Sequence, residues 1–436
     1  MERPGQPVLR QRLGGGDLGQ EPGRRGIRHP GRQQPAAGRR FPRLRRAAHL
    51  RRQLQQELPV TQIEGRADPA FAALAAEFER NFTERGDVGA SLAVVQDGEL
   101  VVDLWGGSLD KAGARPWRSD SVVNVWSTTK AVTALCFAVL VDQDKAAYAD
   151  PVARWWPEFA AEGKGDITIA ELLSHQAGLC SFTSPAVVAD YYDQPTAAAR
   201  LAGQAPLWPP RSRSGYHAIS IGTLANELFR RIEGRSLGAF VVEDLSGPFG
   251  LDLTLGLPAS EEARRAEMIA PPELGTSSMV PEMNPSQIVA YANPAMEPLL
   301  PNTAAWRACE IPSANGFSNA RSLARLFGAA ANGGTLDGRR VVGAEALAQA
   351  TRLQIEGVDE VLGVPARWAA GFLLNTDGLY GPEPRAFGHS GWGGSFAMVD
   401  PVRHVAVSYA MNRMGTDLVG DPRDVALIAA TYEGLA

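Results

Sequence analysis

Apolar positions along the chain fall into helical, strand-like and unbroken patterns. After Asp68-Pro69, which reads as a helix cap followed by proline at the first helical position, Phe71, Leu74, Phe78 and Phe82 recur at helical spacing. Residues 91–96 and 99–105 are strand-like, and Asp97-Gly98 between them suits a type I′ turn, so the pair predicts a hairpin. Residues 131–140 are almost wholly apolar, as in a buried helix. Residues 222–232 read as a helix that stops at Glu233-Gly234, with Ser236 capping the next. Near the far end, 368–374, 394–400 and 404–411 are strand candidates spaced like an antiparallel meander, and 421–435 closes the chain as a helix. Strands at both ends predict an α+β fold. One antiparallel sheet is built from both chain ends and flanked by helices, with a helical subdomain, roughly 140–350, inserted. Residues 255–312 are rich in Pro, Met and Ala with weak periodicity, which fits a pocket wall or lid as well as padding.

Composition bounds the class. The chain has 436 residues, 44% hydrophobic and 21% charged, enough for one large core or two medium ones. No apolar run reaches the roughly 18 residues of a transmembrane helix. Cys136, Cys180 and Cys309 lie far apart and give neither a C-x-x-C metal pattern nor an even disulfide framework. No metal or organic cofactor has a visible motif, and none is expected.

The net charge of −5 hides an asymmetry. Residues 1–52 hold 14 arginines against three acids, a net +11, and the remainder carries −16. With nine Gly, six Pro and Phe41 as its single aromatic, this stretch cannot bury enough apolar surface to offset the entropy of ordering. Residues 1–55 are therefore expected to be a disordered Arg/Gly/Pro-rich segment. A nucleic-acid-binding arm would want interleaved aromatics. A transit peptide would be Ser-rich, and residues 1–60 contain no Ser or Thr. A secretory or twin-arginine signal needs an apolar stretch that does not follow. A mis-assigned start in a G+C-rich gene accounts best for the arginine usage. Function is sought in residues 56–436, with a cytoplasmic location expected.

The first chemical signal is Ser127-Thr128-Thr129-Lys130 at the head of the apolar helix. Residues i and i+3 share a helix face, so Ser127 and Lys130 can meet on the first turn. A helix start offers free N–H groups and positive potential, which suit an oxyanion and disfavour a protonated amine. A lysine acts as a base only when desolvation or nearby positive charge lowers its pKa. A second S-x-x-K copy, Ser108-Leu109-Asp110-Lys111, sits in a glycine-flanked loop with no helix to aim it. A G-x-S-x-G match, Gly234-Arg235-Ser236-Leu237-Gly238, follows a helix rather than the strand a nucleophile elbow needs.

The tetrad does not stand alone. Residues 101–107 (VVDLWGG), 172–179 (LLSHQAGL), Gly215-Tyr216-His217-Ala218 and Gly388-His389-Ser390-Gly391-Trp392-Gly393-Gly394 follow in order. Over about residues 60–436 the chain resembles the class C β-lactamase and penicillin-binding-protein superfamily, and most closely its esterase branch, the family VIII esterases. The resemblance implies a β-lactamase/transpeptidase-like fold. It gives Ser127 the nucleophile's role, Lys130 the base of that motif, and Tyr216 the tyrosine of the Y-x-N motif, sharing the proton shuttle with the lysine. The K-T-G strand motif falls on His389-Ser390-Gly391, and the backbone N–H groups of Ser127 and Trp392 form the oxyanion hole. His389, Ser390, Gly391, Trp392 and His217 are the expected substrate-binding residues.

Two departures discriminate within the family. The Asn of Y-x-N is Ala218, and the Lys of K-T-G is His389. Relatives use those polar groups to hold a β-lactam's amide and carboxylate. A neutral histidine and a methyl group hold an anion poorly, so both changes favour a neutral ester. The acidic body likewise attracts no anion over long range. His175 is expected to fix a loop, Trp155, Trp156 and Trp306 to pack in the core, and Trp126 to lie beneath the nucleophile. The leading expectation is a serine hydrolase cleaving small-molecule carboxylic esters of short to medium acyl chain. A β-lactamase, D-amino-acid peptidase or acyltransferase of the same fold stays open beside it, as does a non-catalytic nucleic-acid binder. No membrane partner is expected.

Overall fold

The computed structural model describes residues 62–271 and 283–435. The reading of residues 1–55 lies outside the described residues, as does the stretch 272–282.

Nine strands form the main sheet: β1 (Ile63–Ala67), β2 (Gly89–Gln96), β3 (Glu99–Gly107), β4 (Ile355–Val358), β5 (Pro365–Trp368), β6 (Leu373–Leu374), β7 (Phe387–Ser390), β8 (Phe396–Asp400) and β9 (Val405–Met411). Their spatial order is β1-β3-β2-β9-β8-β7-β6-β5-β4, antiparallel throughout. The two ends of the chain meet where β2 pairs with β9, Leu92 opposite Tyr409. The β2–β3 hairpin turns at Asp97 and Gly98, both left-handed (φ 50° and 84°), as a type I′ turn requires.

Helices cover both faces. Five matter for the site: α1 (Ala72–Thr83), α2 (Thr129–Asp142), α3 (Ser220–Glu233), α4 (Ala320–Ala331) and α5 (Pro422–Gly434). Phe78 of α1 meets Tyr409 edge-on on the face that carries Leu92, and α5 packs beside α1. On the other face Ala93 and Val95 cluster with Ala320 and Ala324 of α4. Residues 90–95 of β2 are therefore buried on both sides, which is why the strand shows no apolar–polar alternation. Helix α2 is buried from Thr129 to Leu140.

Several elements differ from the sequence reading. Residues 368–374 are not one strand but β5 and β6, joined by a tight turn with Gly371 at φ 90°. Strand β1 was not expected. It is an exposed edge whose Gly65 lies against the backbone of Asp103. Asp68 makes no side-chain cap, and a 3₁₀ turn precedes α1. Helix α4, inside the segment assigned to the insertion, packs on the main sheet. Gly234 does stop α3 in the left-handed region (φ 85°), and Ser236 does cap the next helix through the amide of Ala239.

Candidate active site

A three-stranded sheet, Val123–Asn124, Leu253–Leu255 and Gly316–Ser318, delivers the chain to the head of α2. Asn124 Nδ2 donates to the carbonyls of Ala314 and Gly316, both at 3.1 Å. The Thr129 hydroxyl donates to the Trp126 carbonyl at 2.6 Å and accepts the Gly316 amide at 2.9 Å. Trp126 sits at φ 45°, a strained conformation for a large side chain. The kink turns Ser127 into a 3₁₀ turn that runs straight into α2.

Ser127 Oγ has two neighbours. Lys130 Nζ lies 2.9 Å away, and the Tyr216 hydroxyl donates to it at 2.7 Å. Lys130 Nζ also donates to the carbonyls of Ala218 (2.7 Å) and Ser313 (2.9 Å). Carbonyls only accept, so they take two N–H bonds. A neutral amine has two N–H bonds and one lone pair, and the lone pair then faces Ser127 Oγ. Burial pushes Lys130 well below its ordinary pKa of 10.5, which favours that neutral form. Burial pushes Tyr216 the other way, above 10, so its hydroxyl keeps its proton.

Tyr216 is held from behind. Its backbone amide donates to Asp359 Oδ1 at 2.8 Å, and its ring stacks on Trp368 with centroids 5.8 Å apart. His175, at φ 64°, meets both rings edge-on and accepts the His217 amide through Nδ1. Sequence reasoning missed Asp359, Trp368 and the Ser313 carbonyl. Their link to Tyr216 or Lys130 spans more than a hundred residues and leaves no local pattern.

His389 and Ser390 end β7 beside the nucleophile, Gly391 follows directly, and all three are buried. His389 Nδ1 donates to the Ser390 carbonyl at 2.8 Å, which leaves Nε2 unprotonated. Among the described residues Nε2 has no hydrogen-bond partner. Burial pushes the pKa of His389 down to about 3. Gly391 passes so close to the Val125 carbonyl and Ser395 Oγ that any side chain would collide with them. Trp392 is half-buried against Trp126, with ring centroids 5.1 Å apart, and Trp126 packs on Trp306 in turn. No hydrogen bond among the described residues occupies the backbone N–H of Ser127 or Trp392.

His217 does not line the site. It is fully buried, Nδ1 donates to the Gly215 carbonyl at 2.5 Å, and Nε2 accepts the Leu179 amide at 2.9 Å. With both nitrogens used on backbone, it pins the Tyr216 loop and has nothing left for a substrate. Ser108 directly follows β3, bridged to Pro116, with its hydroxyl bonded to the Arg115 carbonyl. Among the described residues no three His, Cys, Asp or Glu side chains gather as metal ligands, and no helix is long and apolar enough to cross a membrane.

A serine, a desolvated lysine and a protonated tyrosine on this α+β scaffold define a class. Residues 78–430 match the family model described as Beta-lactamase, and the chain belongs to that family as a serine hydrolase. Its relatives narrow the picture. It is 35% identical over 374 residues to the esterase/beta-lactamase LipL of Mycobacterium tuberculosis, covering 81% of this chain and 84% of LipL. Among solved structures it is 45% identical to a family VIII carboxylesterase, with a TM-score of 0.81, covering 86% of this chain and 100% of that one. A penicillin-binding protein homologue from Caulobacter crescentus matches with 45% identity, a TM-score of 0.82 and the same coverage.

Proposed function

We propose that the chain is a carboxylesterase that hydrolyses small neutral esters of short to medium acyl chain through an acyl-enzyme on Ser127. The observation that carries this reading is Ser127 Oγ set between Lys130 Nζ at 2.9 Å and the Tyr216 hydroxyl at 2.7 Å. Ser127 gives its proton to the neutral Lys130 amine as Oγ bonds to the ester carbonyl carbon. The carbonyl oxygen, now an anion, rests on the N–H groups of Ser127 and Trp392, charge stabilisation that grows only towards the transition state. Tyr216 protonates the departing alkoxide and recovers a proton from Lys130. The C–O bond to the alcohol breaks, leaving acylated Ser127. Water then gives a proton to the same pair, attacks the acyl carbon, and releases the acid with Ser127 restored.

The substrate class follows from charge. His389 stands neutral where relatives place a lysine, and Ala218 offers a methyl group in place of an amide. Neither of these two positions offers a charge to grip a substrate carboxylate. Slow β-lactam opening is a second reading, favoured by the shared acylation groups and by the likeness to an esterase/beta-lactamase. Hydrolysis of p-nitrophenyl butyrate by the wild type and Ser127→Ala, with nitrocefin in parallel, tests both. Ester turnover that disappears with Ser127 supports the proposal. Turnover that survives the substitution overturns the nucleophile assignment.

A further inference from the structure

Asp359 is a fully buried carboxylate, and among the described residues no cationic side chain pairs with it. Four N–H donors converge on it instead. Oδ1 accepts the backbone amides of Tyr216 (2.8 Å), Val361 (3.0 Å) and Leu362 (2.9 Å). Oδ2 accepts the indole N–H of Trp368 at 3.1 Å. Burying a carboxylate is costly unless its oxygens are satisfied, so these four bonds are a condition of its presence.

The two oxygens divide their work. Oδ1 holds its own turn and reaches across 143 residues to the Tyr216 backbone, and Oδ2 holds Trp368 in β5. Tyr216 and Trp368 are the two partners of one stack, with planes 6° apart. One carboxylate therefore fixes both plates, one by its backbone and the other by its ring edge. The hydroxyl at the far end of the Tyr216 plate lies 2.7 Å from Ser127 Oγ. A rotation of the plate about its Cα swings that hydroxyl out of hydrogen-bond range.

We propose that Asp359 is a positioning residue for the reaction, locking Tyr216 and Trp368 into the stack that aims the Tyr216 hydroxyl at Ser127. This rests on the reading of Tyr216 as the proton carrier. Asp359→Asn is the sharpest probe, because it keeps the shape. Its amide oxygen can serve the three backbone donors, but its NH₂ then faces the Trp368 indole N–H, donor against donor.

The experiment measures kcat and KM on p-nitrophenyl butyrate for the wild type, Asp359→Asn, Trp368→Phe, Tyr216→Phe and the Asp359→Asn/Tyr216→Phe double variant, with a thermal melt of each. Asp359→Asn is expected to lower kcat about 10- to 100-fold with KM held within about twofold, as misplacement of a reacting group does. In the Tyr216→Phe background the same substitution is expected to change kcat by less than about twofold, since the group it aims is gone. A folded Asp359→Asn with kcat near wild type, a rise in KM alone, or an equal loss in both backgrounds overturns the inference. If Asp359→Asn shows no cooperative melt, Trp368→Phe decides, because it keeps a ring and removes the indole donor. A several-fold loss of kcat at constant KM supports the inference, and an unchanged kcat overturns it. Wild-type kcat in Tyr216→Phe brings down the proton-carrier reading and this inference together. A collapse in Tyr216→Phe beside an unaffected Asp359→Asn removes the inference alone.

Discussion

Ser127 Oγ and Lys130 Nζ lie 2.9 Å apart on consecutive turns of one helical segment, with the lysine's other two polar contacts both backbone carbonyls. The lysine cannot turn away without abandoning two hydrogen bonds in a buried site, so its free valence stays on the serine. That constraint gives the first prediction. Lys130→Met should lower kcat/KM on p-nitrophenyl butyrate about 10²- to 10⁴-fold, the usual contribution of a positioned base. Steady-state kinetics with Ser127→Ala as the zero point checks it. A variant within tenfold of wild type contradicts the lysine's role.

The pH profile separates the lysine from the tyrosine. A base must be unprotonated, so kcat/KM should rise with pH through the lowered pKa of Lys130 and then level off. Tyr216, raised above 10, should keep its proton, so no alkaline fall is expected below about pH 10. Three neighbouring histidines also have lowered pKa values. His217 and His389 are pushed by burial to about 4 and about 3, and His175 lies well below 6.5. A bell with an alkaline limb near neutrality would instead mean that a protonated group is required there, such as a Lys130 ammonium, and would contradict the lysine's role as base.

His389→Lys restores the charge that β-lactam-cleaving relatives carry at this strand position. The ratio of nitrocefin to p-nitrophenyl butyrate turnover should rise about tenfold or more, the scale of one added charge-assisted hydrogen bond. The new cation stands near Lys130, so ester turnover should also fall and its acid limb move. An unchanged ratio would show that residue 389 does not set the choice of substrate.

Arg423 ties α5 to the loop that carries the Trp392 amide. Its guanidinium donates to the Gly393 carbonyl at 2.6 Å and to the buried carboxylates of Asp87 (2.7 Å) and Asp421 (2.8 Å). Arg423→Lys keeps the charge and loses the fork, so the Gly393 carbonyl should keep only its bond from the Gly415 amide. Turnover is expected to drop about tenfold or more with KM little changed, as when an oxyanion donor is misplaced. Melting curves taken alongside show whether the loss is local or global. A variant with native kcat would mean that the loop holds its shape without this anchor.

Much of the fold was legible because period and punctuation are local. The Asp97-Gly98 turn, the all-apolar α2 and the Gly234 stop each advertise themselves within a few residues. Ser127 and Lys130 were legible for the same reason, since i and i+3 spacing is a helix property. Tyr216 came only through resemblance, as a lone aromatic 89 residues from its partner. Asp359 and Trp368 were not legible at all as parts of the site, because a carboxylate that binds backbone amides has no preferred spacing. His217 was misjudged for a related reason. Adjacency to Tyr216 says where a side chain starts, and its hydrogen bonds to Gly215 and Leu179 take it away from the cleft.

The pairing of β2 with β9 has a consequence for biosynthesis. In chain order the strand that joins the two halves of the sheet follows all the other strands of that sheet, with β2 on one side and β8 on the other. Until residue 411 has emerged, the N-terminal hairpin and the C-terminal meander each present an unpaired strand edge, a template for association with other chains. Nascent chains arrested before β9 should therefore be protease-sensitive and prone to aggregate. Only once β9 has emerged can the sheet close.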